Sequence, residues 1–99
     1  MEKLTMAELR AELEDNLSGV WAFEYALAQD EVAETIGSLG PAARRHLFVL
    51  QTAVASGEDC AVAVRKVAET ITRMVPSPTC RSSSYIYTAA LEWLMGEGA

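Results

Sequence analysis

Apolar side chains recur at helical spacing along most of this chain, and the first third shows this most clearly. Thr5 and Glu8 have the spacing of a capping box, in which each side chain satisfies a free amide of the first helical turn. An apolar residue then follows at every fourth position: Leu9, Leu13, Leu17, Trp21 and Tyr25. Such spacing places the apolar residues on one face of a helix. The pattern predicts an amphipathic helix over residues 5–28, unless Ser18 and Gly19 bend it.

Glycine and proline divide the rest of the chain into further helical segments. Gly40 and Pro41 separate a short segment, 31–39, from a longer one, 41–56, which Gly57 ends. The stripe over 59–75 is the cleanest, and a last segment covers 84–95 after the proline-containing loop at 76–83. We find no sustained alternation with a period of two residues. The sequence therefore predicts an all-α fold, a compact bundle of four to five helices in a single domain.

Composition agrees with a globular protein of this size. Of the 99 residues, 51% are hydrophobic and 22% are charged, far from the polar composition of disordered chains. No apolar run reaches the roughly 20 residues that cross a bilayer, and the start of the chain does not resemble a secretory leader. Cys60 and Cys80 do not make a disulfide-rich scaffold. We therefore expect a cytoplasmic protein without membrane contact.

Residues able to carry catalysis are few. His46 is the only histidine, and it follows Arg44 and Arg45, which disfavour a bound metal ion or proton. The chain has no CxxC pair, glycine-rich phosphate loop or GxSxG motif. Carboxylates on the outer face of the first helix are most simply solvated. We expect no enzymatic activity, and hence no catalytic residues, no metal site and no cofactor.

The composition of segment 20–28 indicates a binding function. It is apolar on nearly every side, so either the centre of the bundle or a second chain must cover it. Trp21 lies on the main apolar stripe, and we expect it in the core. Phe23 lies off that stripe and is the better candidate for an interface residue, with Val20 and Leu27 beside it. A homodimer through this segment is one way to cover it.

Charge is distributed unevenly and indicates the kind of partner. Residues 1–39 carry nine acidic and two basic residues, whereas the whole chain has a net charge of −6. Glu8, Glu12 and Asp15 share one face of the first helix and suit a partner with a basic surface. An acidic chain makes nucleic acid an improbable partner.

These features predict a small acidic protein-binding module, acting as a regulator, inhibitor or adaptor that masks or bridges a partner protein. Its size and charge also fit phage- or plasmid-borne inhibitors, by analogy alone. The alternative is a transcription-linked DNA-binding module that uses the basic hairpin at 41–75. In that hairpin Glu69 interrupts the basic residues Arg65, Lys66 and Arg73.

Overall fold

A computed structural model describes residues 4–76 and 83–96 and shows five helices. They are α1 (Met6–Ser18), α2 (Ala22–Gly37), α3 (Pro41–Ala55), α4 (Ala61–Met74) and α5 (Ser83–Leu94). The described ranges contain no strand, and the predicted all-α bundle is confirmed. Helices α3, α4 and α5 begin and end within two residues of the predicted bounds. Cys80 and most of the predicted loop at 76–83 lie outside the described residues.

The segment 5–28 does not form one helix, because the chain breaks between Ser18 and Ala22, at the Ser18–Gly19 position where the sequence left a bend open. Thr5 caps α1 as expected, accepting a hydrogen bond from the Glu8 amide at 3.2 Å. At the other end the Gly19 amide donates to the Asn16 carbonyl at 3.2 Å, closing the helix. Trp21 then has extended backbone angles, with φ −83° and ψ 121°. Glycine is a poor helix former, and here the turn costs less than continuing through it.

The predicted short helix over 31–39 is wrong, because these residues continue α2 as far as Gly37. Asp30 and Glu31 lie inside α2. No glycine or proline interrupts residues 22–36, so nothing locally ends the helix before Gly37.

Helix α5 forms the centre of the bundle. It contacts all four other helices, most extensively α4 and α2. Its buried side chains are small in the middle of the helix and large on either side: Ile86, Thr88, Ala89, Ala90, Leu91 and Leu94. The alanines let neighbouring helices approach closely while the leucines and isoleucine fill the space between them.

Polar contacts fix α2 alongside α5 in a parallel orientation. The Trp21 amide donates to the Tyr85 hydroxyl at 2.9 Å, near the start of both helices. Two turns further on, Gln29 Nε2 donates to Glu92 Oε1 at 2.7 Å, and the Tyr25 hydroxyl donates to the same oxygen at 3.2 Å. These bonds hold the first turn of α2, and the aromatic residues on it, in one position.

Candidate protein-binding surface

Several large apolar side chains remain exposed, and two of them belong to the start of α2, two residues apart in the sequence. Trp21 is 76% exposed and Phe23 is 77% exposed. Single exposed apolar residues are common, but exposed Trp and Phe side chains are also the residue types enriched at protein interfaces. We name Trp21, Phe23, Val20 and Leu27 the aromatic patch.

Trp21 corrects a prediction, since the apolar stripe had placed it in the core. The stripe assumed one continuous helix, and the break after Ser18 changes the direction in which residue 21 points. The Trp21 backbone is held by Tyr85, whereas its indole ring lies in solvent. Phe23 is exposed, as an interface residue must be.

Trp21 is also an unfavourable residue at its position. It is the N-cap of α2, where Ser, Thr, Asp or Asn would bond to a free amide of the first turn. Trp21 makes no such side-chain bond. A non-capping residue at this position costs roughly 1 kcal/mol of helix stability. Exposure and the lost cap together mean that folding does not explain a tryptophan here.

Val20 and Leu27 connect the patch to the body of the protein. Both are half-buried, and Val20 packs against the core. Leu27 lies one helical turn after Phe23, so the two side chains are neighbours on the surface of α2.

The acidic residues predicted to bind a partner do not act as one group. Glu8 and Asp15 are exposed, but Glu12 is half-buried and forms an ion pair with Arg65 of α4. Glu12 also faces Tyr87, whose pKa is raised by burial and further by the Glu12 charge. Glu12 therefore already has a partner within the chain, whereas Glu8 and Asp15 are exposed and form no ion pair with the described residues.

Asp15 and Val20 meet at a surface hollow next to the aromatic patch. The hollow has a volume of about 280 Å³ and lies between the end of α1 and the start of α5, where Gly19, Tyr85 and Thr88 also line it. Its lining is part polar and part apolar, and Asp15 is its one charged residue, so it suits a long basic side chain, whose stem is apolar and whose end is charged. Glu8 lies about two turns away along α1.

A second exposed apolar region lies on α3. Phe48 is 67% exposed and Val49 is 59% exposed, and the exposed Arg44 and Arg45 precede them by one turn. Leu47, Leu50 and Val54 form the buried side of the same helix. The sequence prediction passed over Phe48. The signal that identifies Phe48 is its helical position, which lies away from the face that carries Leu47, Leu50 and Val54.

In the described part of the chain we looked for a metal site, a membrane-spanning helix and a reactive cysteine. No cluster of three or more His, Cys, Asp or Glu side chains there could hold a metal ion. No helix of the described ranges is long and apolar enough to cross a membrane. Cys60 is half-buried, and burial, with the nearby charges of Glu58 and Asp59, raises the pKa of its thiol. A thiol in this environment is a weak nucleophile at neutral pH.

Comparison with protein-family models, with curated proteins and with solved structures finds no match to this chain.

Proposed function

We propose that this chain is a small, acidic, non-enzymatic protein-binding module that regulates, inhibits or bridges a partner by covering part of its surface. The observation that carries the proposal is the exposure of Trp21 and Phe23 at the start of α2, where the Trp21 amide donates a hydrogen bond to Tyr85. Aromatic residues of this kind dominate the binding energy of protein interfaces. Because Tyr85 fixes the backbone at Trp21, little ordering is needed on binding.

The partner we propose has an apolar pocket with basic residues around it. Trp21 and Phe23 would fill the pocket, and Asp15 and Glu8 would face the basic residues. Peripheral charge pairs of this sort mainly raise the association rate and select the partner. The cytoplasmic location, and the analogy with phage- or plasmid-borne inhibitors, stay predictions from the sequence.

Replacing Trp21 by serine provides the test, because it should separate binding from folding. Serine is a good N-cap, so W21S is expected to raise the free energy of unfolding by about 0.5–1 kcal/mol. The double variant W21S/F23S should lose at least about 100-fold in affinity for the partner, since two hot-spot side chains are removed. Affinity capture from the native host's lysate, with mass-spectrometric identification, would name the protein retained by the wild type. Titration calorimetry would then measure its affinity.

The matched control is Val62→Ser, which removes an equally exposed apolar side chain (66%) from α4. It should retain the same partner as the wild type. If W21S/F23S retains that partner with unchanged affinity while V62S does too, the aromatic patch is not the binding surface.

Salt dependence tests the acidic part of the surface. The double variant E8Q/D15N keeps side-chain size, and it leaves the Glu12–Arg65 pair intact. We expect several-fold weaker binding at about 50 mM salt and no difference from the wild type at about 500 mM, where exposed charges are screened. Equal affinities at low salt would remove Glu8 and Asp15 from the interface.

The alternative, a DNA-binding module, has one observation in its favour. Arg44 and Arg45 on α3 and Lys66 on α4 are all exposed. Against it, Arg65 is paired with Glu12, which removes one cation from the already interrupted basic surface of α4. The absence of duplex retention at low salt would exclude it.

A further inference from the structure

The outer face of α2 carries apolar residues followed by acidic residues. Phe23, Leu27, Asp30 and Glu34 follow one another at intervals of four, three and four residues, so they form one stripe along the helix. Asp30 and Glu34 are exposed, as is Phe23, and the small side chains of Ala26 and Ala33 flank the stripe. Along the chain direction, this stripe changes from apolar to acidic.

The outer face of α3 carries the complementary pattern in reverse. Arg44 and Arg45 come first, and Phe48 and Val49 follow one turn later, so this face changes from basic to apolar. All four side chains are exposed. The first turn of α3 contains no acidic residue to neutralise the arginines.

We propose that the outer face of α3 in one copy of the chain docks antiparallel on the α2 stripe of a second copy. The inference rests on the proposed function, because it uses Phe23 of the same patch, and it names a second copy of this chain as an occupant of that patch. In an antiparallel arrangement Phe23 and Leu27 meet Phe48 and Val49, while Asp30 and Glu34 meet Arg44 and Arg45. A parallel arrangement would place aromatic rings against charges.

The spacing along the two helices fits this arrangement. Phe23 and Asp30 are separated by seven residues, which is about 10 Å along a helix. Phe48 and Arg44 are separated by four residues, about 6 Å. Side chains on a helix point towards its N-terminus, so the long arginine side chains extend away from Phe48 and cover the remaining distance. The acidic and basic ends then lie opposite each other when the apolar ends do.

Complementary charge-reversal variants test the proposal. Sedimentation equilibrium at about 1–100 µM should show the wild type associating, with an average mass above the 10.7 kDa of one chain. We expect R44E/R45E to raise the dissociation constant at least about tenfold, because like charges then face each other across the interface. The variant D30K/E34K should do the same. An equimolar mixture of the two should associate again, since each variant then meets its opposite charge.

The controls carry the same changes of net charge at exposed sites elsewhere. K66E/R73E matches the arginine variant and E14K/E58K matches the lysine variant, and both should associate like the wild type. Circular dichroism would verify that every variant folds. A wild type that is monomeric over the whole range would overturn the proposal, as would a mixture that fails to associate although both variants are folded.

The two proposals fail separately. A monomeric wild type that still binds another protein through Trp21 and Phe23 contradicts only the second copy as occupant. Self-association that depends on Arg44 and Arg45, together with partner capture unaffected by W21S/F23S, contradicts only the proposed function.

Discussion

Leu91→Ala is expected to lower the free energy of unfolding by about 3 kcal/mol. Leu91 is fully buried on α5, which contacts every other helix of the bundle. Truncation removes its apolar contacts and leaves a cavity that surrounding helices fill only in part, and such changes typically cost 2–5 kcal/mol. Domains of this size are stable by roughly 5–15 kcal/mol, so the loss is a large share of the total.

Urea denaturation followed by circular dichroism measures this loss. Leu27→Ala is the matched control, because it makes the same chemical change at a half-buried leucine on α2. Its expected cost is about 1 kcal/mol, since part of the side chain already contacts water. Equal costs at the two positions would contradict the central place of α5 in the core.

The bundle was predictable from the sequence because its periodicity is a local property. The stripe of α4 supplies Val64 and Ile71 to the core, as its spacing indicates, and Gly40–Pro41 does separate two helices. Ser18 and Gly19 marked the place of a possible bend, but the periodicity did not predict that the helix ends there. Apolar residues at every fourth position continue across this place, so the pattern reads as one helix although the backbone turns.

Residues of the candidate surface were predictable only where their exposure depends on the periodicity of a single helix. Phe23 is exposed because it lies off the buried side of α2, and the sequence shows this. Pairing of Glu12 with Arg65 joins α1 to α4 across 53 residues of sequence, and depends on how the two helices pack. Trp21 is exposed because of the turn before α2. Both of these features need the tertiary structure.

Alkaline pH is expected to destabilise the fold through Tyr25. Burial raises the pKa of Tyr25, and the charge of Glu92 and the hydrogen bond to it raise it further. In the unfolded chain the pKa of this tyrosine has its ordinary value of about 10. The folded state therefore holds the proton more tightly, and the stabilisation that results is complete below pH 10. It is lost as the pH rises from 10 towards the folded-state value, by up to about 1.4 kcal/mol per pH unit.

Comparison of the wild type with Tyr25→Phe isolates this effect. The wild type is expected to lose about 2 kcal/mol more than the variant between pH 10 and pH 12, measured by urea denaturation at each pH. At neutral pH the variant should be less stable by about 1 kcal/mol, because Glu92 loses the hydrogen bond from the tyrosine. Glu92→Gln should reduce the pH dependence without abolishing it, since burial of the ring is the largest single cause of the raised pKa. If Tyr25→Phe and the wild type lose the same free energy of unfolding between pH 10 and pH 12, ionisation of Tyr25 does not cause the pH dependence.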